Sequence, residues 1–322
     1  MEPSRLKLLH PKTLSEGFTQ SELSLLSLCP QKWNWQYNQL LFKPGIVAWP
    51  LLVGTVFHDA MEQLFSTKGK RVKVATLQFT ETQVPAIDDF QKLEYFNTLV
   101  PIMVEAYRIY HQEDFLLDNI ESLEEVVEVE YRGFRLRGKI DKTTIEDGQR
   151  VLTDYKTTSR IDKASVAGWD FRFQFMFYLW LKSKLIKEGP PLGAFRVDAV
   201  KKTELRVKKT ENLEGFGQRV FQDMIADPDK YFYRERFPII DGSLEHFQTN
   251  VLDHKLNRIK AIVNPDTPLD VARLLIEDKN TEECQRWGIQ CPFLDLCRHG
   301  YDKMGQFYRT KSVKHEELED NE

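Results

Sequence analysis

Long apolar runs are missing from this chain of 322 residues. No stretch approaches the roughly 18 apolar residues that cross a bilayer as a helix, so no membrane anchor is expected. The opening "MEPSRLKLLHPKTLSEG" lacks the apolar core of a secretory signal, and a cytoplasmic protein is the expectation. An excess of positive charge is missing as well. The net charge is −4, which excludes attraction of the whole molecule to nucleic acid and leaves only a local basic patch for such contact. No G-x-x-x-x-G-K-[ST] loop occurs, so the chain carries no visible ATPase motor. Internal repeats and low-complexity linkers are absent too. Cysteine is scarce, with 4 in all.

What is present suits a globular protein with a substantial core: 41% hydrophobic residues beside 29% charged ones. "TQSE" (19–22) has the form of a capping box, Thr19 to Glu22, opening a first helix that Pro30 interrupts or restarts. "WPLLVGTVFHDAMEQLFSTKGK" places Val56, Phe57, Ala60, Met61, Leu64 and Phe65 at helical spacing. A long helical stretch follows over about 88–117. From 124 the period changes to two, broken by Arg132-Gly133 and Asp147-Gly148, which predicts three antiparallel strands. A helix over 166–187, a strand near 193–201 and a mostly helical remainder complete the pattern. This order predicts an α/β fold with a mixed central sheet flanked by helices. The run "KKTELRVKK" (201–209) is the basic patch available for nucleic acid, and reads equally as a solvated strand edge. "HEELEDNE" reads as an acidic, disordered tail.

The turn Asp147-Gly148 fixes a register. Both positions tolerate positive φ, so a two-residue hairpin loop is expected there. Glu146 then faces Gln149, and continuing the count sets Asp141 opposite Asp154. Lys156, two residues on, shares the Asp154 face. Facing carboxylates repel unless a cation lies between them. A divalent ion with oxygen ligands resolves the conflict, and Lys156 then holds a water or steadies charge on a phosphate. A plain surface pair with Lys156 as its salt-bridge partner is the competing reading, and a bulge would break the register.

"GKID" (138–141) followed by "TDYK" (153–156) resembles the active-site pattern of the PD-(D/E)XK nucleases. The resemblance implies catalytic Asp141, Asp154 and Lys156, a restriction-endonuclease-like core, and phosphodiester cleavage with Mg²⁺ or Mn²⁺. "GTVFHDAMEQL", with Gly54 and His58, is similar to a helical motif of the RecB-like branch, which implies His58 as a metal ligand beside Asp141 and Asp154. Glu62 shares the His58 face, and Glu130 precedes the first turn of the strands; both are lesser candidates. "QFMFY" (174–178) matches that branch's Gln-x-x-x-Tyr motif, which implies that Gln174 and Tyr178 support the site or touch DNA. Trp33, Trp35 and Trp49 are open to base stacking or to the core.

Cys284, Cys291 and Cys297 form a C-x6-C-x5-C cluster, and Cys29 lies far upstream. Clustered thiols in a cytosolic setting point to metal rather than disulfides, and four thiolates suit zinc or an iron–sulfur cluster. One upstream and three downstream cysteines around a nuclease core resemble the iron–sulfur exonucleases of the AddB and CRISPR-adaptation type. That implies a structural [4Fe–4S] cluster, a C-terminal helical segment bound to it, and Zn²⁺ as the alternative. The expected layout is an extension over 1–19, one nuclease domain over 20–300 closed by the cluster, and a tail over 301–322. The expected activity is a DNA exonuclease acting on single-stranded ends, with a helicase, recombination or adaptation protein as partner. A catalytically silent DNA- or partner-binding module on the same fold is the rival reading.

Overall fold

The computed structural model describes residues 12–79, 87–162, 166, 168–286, 289–315 and 318. A five-stranded sheet forms its centre: β1 (Ile120–Tyr131), β2 (Phe134–Glu146), β3 (Gln149–Thr158), β4 (Leu192–Lys201) and β5 (Phe232–Pro238), side by side in that order. Both expected turns form. Arg132 and Gly133 have φ of 53° and 81°, Asp147 and Gly148 of 49° and 72°, so each pair makes the mirror-image turn that matches strand twist. The first three strands are antiparallel, β3 and β4 run parallel, and β5 returns antiparallel. The parallel step needs a crossover, supplied by α5 (Phe173–Leu185). This helix starts seven residues later than its apolar pattern suggests. Gly168 sits at φ 75° and a single 3-10 turn follows, which separates Val166 from the helix proper.

The two faces of the sheet bury different cores. On one, α5 covers Val127, Leu136, Ile140, Leu152, Phe195 and Val197. On the other, α3 (Trp49–Ser66), α4 (Ile87–Tyr110) and α6 (Leu213–Ala226) close over Tyr155 and Val200. The helical spacing in α3 holds: Val56, Phe57, Ala60, Met61, Leu64 and Phe65 are all buried. Strand β5 falls within the stretch expected to be helical.

The two ends of the chain meet. Preceding α3 are α1 (Gln20–Leu28) and α2 (Pro30–Trp33), which Pro30 restarts after the extended residue Cys29. Thr19 accepts from the Glu22 amide at 3.4 Å, so half of the capping box forms. The Glu22 carboxylate turns inward instead, to Trp33 Nε1 at 3.0 Å, Lys314 Nζ at 2.9 Å and His315 Nε2 at 3.1 Å. Lys314 and His315 are fully buried, and a buried cation requires such a counter-charge. Leu41 and Phe42 pair with Thr310 and Arg309. Packing therefore continues past residue 300, the boundary expected for the tail. Of the acidic stretch, His315 and Leu318 are buried, and the others lie outside the described residues.

Candidate active site

The sheet opens at Asp141. The register counted from Asp147-Gly148 holds from Glu146/Gln149 to Lys142/Thr153, and there the β2–β3 ladder ends. Asp141 and Asp154 are thus not a cross-strand pair. Instead the Tyr155 amide donates to Asp141 Oδ2 at 2.7 Å, so the carboxylate fills the gap where the strands part. On the other side of β2, Leu123 pairs with Lys142 and Glu125 with Ile140, and the ladder skips Glu124 and Asp141. Leu123 and Lys142 serve the α3 face, where Lys142 Nζ lies 3.6 Å from the Phe65 ring centre. Ile140 belongs to the α5 face, and Glu125 reaches Lys182 of α5 at 2.7 Å. Regular alternation keeps residues i and i+2 on one face, so both strands swap faces at this level. Glu124 accommodates the swap with a φ of 46°.

The swap brings Asp141 to α3. His58 Nδ1 lies 3.3 Å from Asp141 Oδ1. Ligand atoms of His58, Glu124 and Asp141 all lie within 4.8 Å of one another, a spacing that can hold a metal ion. Glu124 carries no motif, and sequence reasoning missed it. Its carboxylate also meets Lys139 Nζ at 2.8 Å.

Asp154 faces α5. Lys156 Nζ is 2.7 Å from Asp154 Oδ2 and donates to Gln174 Oε1 at 3.2 Å, while Gln174 Nε2 donates to Asp154 Oδ1 at 3.1 Å. Acid, lysine and glutamine thus close a triangle in which Gln174 fixes the other two. Tyr178, one turn on, lies against Gly138: a β-carbon there would come within 2.8 Å of its ring. The glycine of "GKID" is therefore the seat of the tyrosine of "QFMFY".

Electrostatics separate the two acids. Burial raises the Asp141 pKa, but the charge and hydrogen bond of His58, the Tyr155 amide and Lys156 reverse this and hold it below the usual carboxylate range. For Asp154, burial outweighs the Lys156 charge, and repulsion from Asp141 adds to it, so its pKa is raised. Burial alone would lower His58; Asp141 and Asp154 overcome it and raise the imidazole to about 9. Unlike environments for two neighbouring carboxylates are what a division of roles requires.

The four cysteines gather at a second place. Cys29, Cys284, Cys291 and Cys297 line one cavity of about 310 Å³, rimmed by Lys32, Lys279 and Arg298. Burial raises the thiols of Cys291 and Cys297. Glu62 is exposed. Glu130 pairs with Arg135, and its six-residue separation from Glu124 along β1 corresponds to about 20 Å. Trp33 is 1% exposed and belongs to the core. Trp35 stacks on Tyr301, and Trp49 on Phe96.

The sequence model of the PD-(D/E)XK nuclease superfamily matches residues 17–298. No curated protein matches the chain. The match spans both the opened sheet and the cysteine cavity, and the chain belongs to the PD-(D/E)XK nuclease superfamily.

Proposed function

We propose that this superfamily member is a Mg²⁺- or Mn²⁺-dependent DNA exonuclease of the RecB-like iron–sulfur type, acting on single-stranded ends. The observation that carries the reading is the Asp154–Lys156–Gln174 triangle set beside the His58–Asp141 pair. His58, Asp141 and Asp154 are the proposed metal ligands, an imidazole and two carboxylates of the kind Mn²⁺ and Mg²⁺ accept. A bound divalent ion supplies Lewis acidity to the phosphate and to the attacking water. Lys156, with Asp154 and Gln174 holding its ammonium, orients that water and offsets negative charge on the phosphate. The Tyr155 amide fixes the Asp141 carboxylate, so one ligand is set before metal arrives.

The basic run 201–209 supports DNA as the substrate. It leaves β4 just past Ala199, the register partner of Lys156, and so emerges at the catalytic end of the parallel pair. Within the run, Lys208 and Lys209 are exposed. Strand separation falls to a partner helicase of a recombination or adaptation system, in the cytoplasm.

The cysteine cavity supports the iron–sulfur assignment. Four thiols lining one cavity can hold either a zinc ion or a polynuclear cluster, and the resemblance to the iron–sulfur exonucleases selects the cluster. Lys32, Lys279 and Arg298 offset the negative charge of such a cluster.

Linear and circular single strands test the reading in one assay with Mn²⁺. Release of nucleotides from labelled linear strands, with circles left intact, is expected. Cutting of circles overturns the exonuclease assignment, and no cutting of either favours a binding module.

A further inference from the structure

We propose that Glu124 is a metal ligand of the active site, additional to the motif residues His58, Asp141 and Asp154. This inference rests on the nuclease reading and adds a residue that lies outside its motifs. The first observation is position: the Glu124 carboxylate stands within 4.8 Å of the ligand atoms of both His58 and Asp141, a grouping that Asp154 does not join. Asp154 is turned toward Lys156 and Gln174. Glu124 thus completes the side of the site that faces α3.

The second observation is how the carboxylate gets there. Glu124 occupies the position where β1 and β2 swap faces together, with a left-handed φ of 46°. That conformation is costly for a residue with a β-carbon, and glycine meets it without strain. The contact with Lys139 does not account for the choice. Lys139 is 36% exposed, and an ion pair of this kind contributes less than the backbone strain costs. Nor does Lys139 exhaust the group, since an ionised carboxylate accepts at about four lone-pair sites. A glycine here would serve the sheet better; a glutamate serves a cation beside Asp141.

Manganese binding, measured by calorimetry on the full-length protein, tests the assignment without reference to turnover. Wild type, Glu124→Gln, Glu124→Gly and Asp141→Ala are titrated with MnCl₂ after removal of divalent ions. Glu124→Gln and Glu124→Gly are each expected to bind about 10-fold or more weakly. Glu124→Gly is also expected to melt no lower than wild type in the metal-free state, because glycine suits the backbone. Its intact fold keeps the test decisive if the glutamine variant misfolds. Affinity within twofold of wild type in a folded Glu124 variant overturns the inference and leaves the nuclease reading standing, provided Asp141→Ala abolishes binding. Absence of Mn²⁺ binding by wild type overturns both.

Discussion

Gly138 and Tyr178 show how single residues tie the motifs together. The sequence presents them 40 positions apart in two separate motifs, and the fold stacks the ring on the glycine. An added β-carbon would meet Tyr178 at 2.8 Å and Leu181 at 3.2 Å, both parts of a packed helix. Gly138→Ala is therefore expected to cost about 1–3 kcal/mol, as overpacking does, seen as a lower urea midpoint. An unchanged midpoint would mean that the helix yields freely. The motif residues themselves were legible because each is a rare chemical type at a diagnostic spacing. Glu124 was not. A glutamate in an alternating strand looks like any solvent-facing residue, and only the backbone swap, invisible without a glycine to mark it, turns it inward.

At the scale of elements, turn chemistry was the strongest signal. Arg132-Gly133 and Asp147-Gly148 delimit β1, β2 and β3, and the count from the second turn is correct through Lys142/Thr153. It fails one step later, where Asp141 uses its side chain in place of the ladder. Strand β5 was missed because "FYRERFP" sets three charged residues in a row between aromatic ones at a sheet edge, and with a single buried position it shows no period-two pattern. The hairpin is also pinned across the sheet, since Arg196 of β4 donates to Glu146 of β2 at 2.7 Å. Burial raises the Glu146 pKa, but the hydrogen bonds from Arg196 and Thr144 dominate and lower it from 4.5 to about 2. A depressed carboxylate stabilises the fold fully above its unfolded pKa, and the gain disappears as pH falls through the folded value. Glu146→Gln is thus expected to be less stable by about 2 kcal/mol at pH 7. The gap should narrow between about pH 4.5 and pH 2, as urea titrations at several pH values will show. A gap that stays constant over that window would contradict the ion pair.

Across the whole molecule, the ends of the chain close on each other three times. Glu22 binds Lys314 and His315, Leu41–Phe42 pairs with Arg309–Thr310, and Cys29 shares a cavity with the three C-terminal cysteines. Only the last of these was visible in the sequence, through the isolated Cys29 and the cluster over 284–297. If a cluster bridges the cavity, Cys29→Ser is expected to lose iron and acid-labile sulfide. Its melting temperature should fall by roughly 5 °C or more, because the constraint on a very long loop goes with the cluster. Full iron content in that variant, or zinc without iron in wild type, would contradict the iron–sulfur assignment. The central claim concerns the opened sheet, and the linear single-strand assay tests it most directly when run with Asp154→Ala beside wild type. Wild type with Mn²⁺ is expected to degrade the labelled strand and to stop when the metal is chelated. Folded Asp154→Ala is expected to lose about 10²-fold or more of that rate. Equal rates for the two proteins, or cleavage that survives chelation, would show that the chemistry does not reside at Asp141, Asp154 and Lys156.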